Sequence, residues 1–322
     1  MKPAEPAPAR IAFGETYPGR PILRFSHAAM ATVFEVHCVH DDADYAGQAA
    51  HAAFDLVDRL EQELSRFIAN SDVSRINTLR AGEGTRVSPS TLECLETAHR
   101  LFDLTSGAFD VSIGSGLESL ELAPDEFTIH AREGGARLDL GGIGKGYAVD
   151  QMAELLDEWE IQHALVHGGF SSVRALDPPP DRDGWPLTLS APGPGDQQIL
   201  ATIEARQMAL SASGTRKGGH IVDPSTGRAA PNRAVWTAVR MAARPERPAL
   251  TSVELPPEKP AAMAECLSTA FMLLPVQQIE GLCRQWPEIE AWLVPDPAEG
   301  EAPEAGVLHW PKPPSAEARD PA

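Results

Sequence analysis

The chain has 322 residues, 43% of them hydrophobic, and carries 27 Lys and Arg against 46 Asp and Glu, a formal charge of −19. This supports one large core or two closely joined subdomains, and so acidic a surface repels phosphate backbones and anionic lipid, which argues against nucleic acid as a partner. Cys38, Cys94, Cys266 and Cys283 are widely spaced without a CxxC pair, so neither a disulfide framework nor a zinc site is expected from them.

The first twenty residues lack the apolar stretch of a secretory signal, and no apolar run of about 18 residues occurs anywhere. The sequence therefore predicts a cytoplasmic protein without a membrane anchor, unless a leader is missing from its start. Residues 1–20 and 295–322 are rich in Pro, Ala and Glu and are expected to be disordered, which leaves a folded part over residues 21–294. It is expected to open with a strand at Thr32 to His40, where apolar and polar residues alternate, followed by a helix over Tyr45 to Leu64. Ser88-Pro89 suits the N-cap and first position of a helix through Leu104, with Gly107 as its left-handed terminator.

A further helix is expected from Gly146, with Val149, Met152, Leu156 and Trp159 on one face. Short strand-like segments follow at Ala164 to His167, Leu187 to Ser190, Leu200 to Glu204 and Val235 to Met241, separated by Pro-rich and Gly-rich turns. Helices over Ala261 to Leu274 and Val276 to Trp286 precede a last strand at Ala291 to Val294. The pattern predicts an α+β fold with mixed, largely antiparallel sheets and flanking helices. No P-loop and no GxGxxG fingerprint is present.

Leu138 to Asp150 reads LDLGGIGKGYAVD, a carboxylate leading through a glycine-rich turn and a lysine into a helix. Gly141, Gly142, Gly144 and Gly146 permit close backbone approach, and Lys145 with the helix N-terminus offers positive charge to a pyrophosphate. Read alone, the segment also fits a plain strand-to-helix connection. In Ala261 to Pro275, Glu265 and Thr269 lie one helical turn apart opposite the apolar face, and could supply oxygens to a hard cation or form a solvated polar face.

In GGHIVDPSTGR, His220 precedes a turn begun by Asp223. The imidazole could accept a hydroxyl proton, or could simply pack beside a turn that Asp223 caps. Met30-Ala31-Thr32 and Ser106 to Asp110 could line a pocket, or equally be a core methionine and a helix-ending loop.

Taken together and in order, MATVFEV, LSRFIANSDVSRIN, TSGAFDVSIG, LDLGGIGKGYAVD, ALVHGG, SASG, HIVDPSTGR and AECLSTAFMLL resemble the signature set of the ApbE family of FAD:protein FMN transferases. The resemblance spans residues 30–274. It implies an ApbE-like fold with a ligand cleft between subdomains, FAD as substrate, Mg2+ on the diphosphate, and FMN transfer to a Thr or Ser of a target flavoprotein with release of AMP. Carried over position by position, it assigns Met30, Phe67, Ala108, Phe109, Asp110, Asp139, Lys145 and Ile221 to FAD. Gly142, Glu265 and Thr269, with Ser268 beside them, fall to the metal. His220 becomes the base, oriented by Asp223.

Four departures stand out, one being Phe67 where that family usually has Tyr or Trp. Glu265 occupies a position that is usually Asp in that family, adding roughly 1.5 Å of reach. Phe170-Ser171-Ser172 stands where an Asp is usual after ALVHGG, and the link from Ser213 to His220 is shorter than the usual aromatic-rich hairpin. Hydrolysis of FAD to FMN and AMP, or flavin binding without catalysis, are the competing readings.

Overall fold

The computed structural model describes residues 10–11, 21–169, 171–190, 199–214, 221–241, 259–295 and 306–311. Most of the two terminal segments expected to be disordered, and His220, lie outside the described residues. In chain order the strands are β1 (Arg10–Ile11), β2 (Leu23–Ala29), β3 (Thr32–Cys38), β4 (Gly84–Arg86), β5 (Leu120–Ala123), β6 (Thr128–Ala131), β7 (Ala164–Gly168), β8 (Ser172–Ala175), β9 (Trp185–Ser190), β10 (Ile199–Ala205), β11 (Met208–Gly214), β12 (Ala234–Arg240), β13 (Ile289–Val294) and β14 (Leu308–Trp310). The helices are α1 (Ala43–Leu64), α2 (Asp72–Ile76), α3 (Pro89–Leu104), α4 (Gly144–Glu158), α5 (Pro260–Ala270) and α6 (Val276–Gln285).

Eight strands form one sheet in the order β14-β13-β12-β11-β8-β7-β3-β2, flanked by two three-stranded sheets, β1-β9-β10 and β4-β6-β5. Every strand pairing is antiparallel. Period-two alternation divides the large sheet between two cores. Phe34, Val36, Val166, Ala209, Val235 and Leu293 face the helices, while Leu165, Val173, Leu210, Trp236 and Trp292 meet Trp185, Leu187, Leu189 and Ile203 of the β9-β10 layer. Among the described residues no helix is long and apolar enough to cross a membrane.

Local chemistry explains the helix ends. Asp42 caps α1 by accepting from the Tyr45 N–H at 2.9 Å, and Ser88 caps α3 by accepting from Thr91 N–H at 3.1 Å, with Pro89 in the first turn. After α3, Gly107 takes φ 82° and its N–H bonds back to Phe102 O at 2.8 Å, the left-handed closure expected of it.

Three segments differ from expectation. The folded part opens with a hairpin rather than a lone strand: Met30 and Ala31, both at positive φ (49° and 57°), form the turn between β2 and β3. No Asn-Gly or Gly signal announces such a turn. Ser211 and Ser213 belong to β11, a central strand that is absent from the expected strand segments. The tail expected to lie outside the fold supplies β14, because Val307-Leu308-His309-Trp310 interrupts its polar composition; Trp310 is buried and His309 stacks on Trp292.

Candidate active site

Helices α4 and α5 cross closely, and neither has a side-chain cap at its own N-terminus. Each caps the other instead. Asp150, within α4, accepts from the N–H groups of Ala261 and Ala262 at 2.9 Å each, closing the first turn of α5. Glu265, within α5, accepts from Gly146 N–H at 2.6 Å, closing the first turn of α4. Both carboxylates thereby meet orphan donors at the positive end of a helix.

The close approach requires glycine at 146. A Cβ built there would stand 2.6 Å from the Ala261 carbonyl carbon and 2.8 Å from Ala262 Cα, distances that real side chains do not tolerate. Gly146 therefore serves helix packing, not the close approach to a ligand expected from the glycine-rich pattern. Gly142 does face the candidate site: its added Cβ would lie 3.2 Å from the Phe109 ring and 4.0 Å from Thr269 Oγ1.

Around Glu265 the predicted residues gather. Lys145 forms an ion pair with Glu265 Oε1 and also reaches Gly141 O at 3.2 Å. The hydroxyls of Ser268 and Thr269 donate to Glu265 O at 2.9 and 3.1 Å. Ser213 of β11 lies 2.8 Å from Ser268 Oγ and 3.5 Å from Thr269 Oγ1. Glu265 is 4% exposed, so it is no solvated polar face, and its one carboxylate meets both Lys145 and Gly146 N–H.

A second group borders the first. Asp139 Oδ1 accepts from Gly141 N–H at 2.9 Å while Oδ2 pairs with Arg66 at 3.0 Å, and the Arg66 guanidinium lies over the exposed Phe67 ring. Asp110 is closed into its loop by Ser112 N–H and Gly114 N–H, both at 2.7 Å. The Asp223 turn meets that loop, since a Cβ at Gly114 would lie 2.5 Å from Pro224 O. Asp223 Oδ1 accepts from Ser225 N–H and Oγ–H at 2.8 and 2.7 Å; these bonds, its largest influence, hold its carboxyl below the usual range. Ala108 and Ile221 pack on the same core. Met30 sits at its hairpin turn, also against that core.

Sequence reasoning missed Arg66, Asp150, Arg174 and Ser213. Arg174 donates to Asp150 Oδ1 at 2.7 Å, making a fully buried ion pair. Burial pushes Asp150 up to about 6, opposed by Arg174 and the two backbone donors. The sequence signals were slight: an Asp among apolar residues in mid-helix and an Arg in an apolar strand, both positions where burial demands a partner.

This is an antiparallel two-core α+β protein whose buried carboxylate, glycine turn, lysine and hydroxyls converge at one helix crossing. A sequence model of the ApbE family matches residues 30–126 and 115–293, and the chain belongs to that family. It is 26% identical over 257 residues to the FAD:protein FMN transferase of Vibrio cholerae serotype O1, covering 67% of this chain and 76% of that protein. Its likeness to the enzyme of the same name from Salmonella typhimurium is 24% over 240 residues, 62% and 68% of the two chains. Among solved structures, the flavin transferase ApbE from Vibrio cholerae superposes with a TM-score of 0.73 at 20% identity, over 90% of this chain and 97% of that one. The Pseudomonas stutzeri flavinyl transferase ApbE in its apo form gives 0.71 at 22% identity, over 90% and 94%.

Proposed function

We propose that the chain is a magnesium-dependent FAD:protein FMN transferase, moving FMN from FAD to a Thr or Ser hydroxyl of a target flavoprotein with release of AMP. The observation that supports it best is the buried Glu265 carboxylate, held by Lys145 and Gly146 N–H one helical turn before Thr269, whose hydroxyl lies on the side that faces Gly142. Family membership and the names of the relatives point the same way.

The donor set is carbonyl, carboxylate and hydroxyl oxygen, the chemistry a hard cation prefers. Gly142 O, Glu265 and Thr269 Oγ1 would hold magnesium, with Ser268 beside them. Bound there, magnesium offsets the charge that develops on the bridging and leaving phosphate oxygens.

The remaining roles fall to the chain itself. In a protein of net charge −19, Lys145 supplies local positive charge to the diphosphate by exchanging its Glu265 partner for phosphate oxygen. Phe67 offers a stacking face for an aromatic ring. Met30, Ala108, Phe109, Asp110, Asp139 and Ile221 complete the FAD site. The acceptor oxygen bonds to the phosphorus of the FMN half as the bond from that phosphorus to the bridging oxygen breaks, and AMP leaves. His220 takes the hydroxyl proton, and Asp223 orients it through the turn it closes.

The test is incubation with FAD and magnesium, with and without an acceptor protein. AMP release that requires the acceptor, with a matching mass gain on it, is the expected result. AMP release without acceptor would mean hydrolysis instead; bound flavin with neither product would mean binding alone.

A further inference from the structure

On the opposite face of the large sheet from the Glu265 site, three ligand-type side chains meet. Glu35 and His37 are two residues apart on β3 and so share a face. His167 on β7 is the direct cross-strand partner of Glu35. All three are buried, and one ligand atom from each lies within 4.8 Å of the others. Glu35 Oε2 stands 2.7 Å from His167 Nε2 and 3.4 Å from His37 Nε2. Donors bound tetrahedrally to a zinc-sized ion at ~2.0–2.1 Å stand about 3.3 Å apart, so small rotations of these side chains would admit one ion.

The hydrogen bonding of His167 gives independent support. Its Nδ1 lies 2.9 Å from Gly169 O, and a carbonyl only accepts, so Nδ1 carries the proton. In the neutral ring Nε2 is then a bare lone pair, facing the lone pairs of Glu35 Oε2. Two acceptors at that distance need a positive charge between them. A second ring proton is one solution. A cation is the other, and an Nδ1–H anchored on a backbone carbonyl is the usual outer-shell support of a metal-bound histidine.

We propose that Glu35, His37 and His167 form a second metal site, separate from the magnesium site, that takes a divalent first-row transition ion of the zinc class through two imidazole nitrogens and one carboxylate oxygen. Imidazole donors suit such ions and do not suit magnesium. The site needs no cysteine, which is why the cysteine spacing gave no sign of it. Arg24 of β2 holds the other carboxylate oxygen of Glu35, and its side chain is 64% exposed. It therefore acts as a competing positive charge on the Glu35 carboxylate.

The test uses the tag-free full-length chain, stripped of metal and titrated with Zn2+ in excess Mg2+. One tightly held zinc per chain is expected. Cobalt in its place should give visible d–d bands without thiolate charge transfer. Loss of an outer-shell partner alone costs ~10–100-fold, so His167→Asn and Glu35→Gln should each weaken zinc by more than ~100-fold. Arg24→Gln, which removes a nearby positive charge, should tighten it. Thr269→Val, at the other site, should leave it unchanged. Circular dichroism of the metal-free variants checks that they fold. Failure of the wild-type chain to retain zinc over magnesium would overturn the proposal, as would full zinc affinity in a folded His167→Asn or Glu35→Gln variant.

Discussion

Asp150 and Glu265 perform the same local task, each capping the N-terminus of the other's helix, yet their surroundings make them opposites. Asp150 faces Arg174, a rigid guanidinium in a central strand, and the pair is closed, with side-chain exposures of 0% and 7%. Glu265 faces Lys145, a flexible point charge whose side chain is 24% exposed. A pair closed off from solvent on both sides is architecture. A pair that opens by rotating one lysine frees a buried carboxylate oxygen and a cation at the moment a ligand arrives. On the proposed function, two nearly equivalent positions thus divide into a strut and a working site.

The sharpest way to break this comparison is Asp150→Ala. It leaves Arg174 buried without its charge partner and removes the cap of α5, and it should cost ~3–5 kcal/mol in urea unfolding of the flavin-free protein. Gly146→Ala comes next. Alanine ordinarily favours a helix interior by about 1 kcal/mol over glycine, but here the added Cβ meets the α5 backbone, so a net loss of ~1–3 kcal/mol is expected by the same measurement.

Glu265→Gln should barely affect folding, about 1 kcal/mol or less, because Lys145 can turn to solvent. Its transfer rate should fall roughly 10²–10³-fold, reversing the order set by stability. Phe67→Ala should have the smallest effect on stability, within about 0.5 kcal/mol for a ring 82% exposed, while weakening FAD binding in a fluorescence titration. His220→Ala should slow transfer far more than it weakens FAD binding, measured on the same preparation; equal losses would remove the base role.

What the sequence revealed, and what it hid, follows the range of the interactions. The Ser88-Pro89 start and Gly107 end of α3 were legible because caps are local chemistry, as was the Glu265 and Thr269 pairing one turn apart on α5. The Met30-Ala31 turn was hidden because residues with side chains adopt positive φ there under tertiary constraint, without the glycine that would announce it. The Asp150 and Arg174 pair was hidden because its members come from a helix and a strand that only folding brings together. Gly146 was visible as a glycine but misread, since the same residue type serves close approach to a phosphate and close approach to another helix. The likeness of eight collinear motifs pointed to the candidate site; that Asp150 faces a buried arginine while Glu265 faces a partly exposed lysine emerges only in the fold.

On the proposed function, Glu265 exchanges Lys145 for a cation when FAD binds. Calorimetric titration of FAD into the wild type and Glu265→Gln, with and without magnesium, measures that exchange. Magnesium should tighten FAD binding markedly in the wild type and leave it almost unaltered in a variant that is otherwise folded. An equal magnesium effect in both proteins would contradict it.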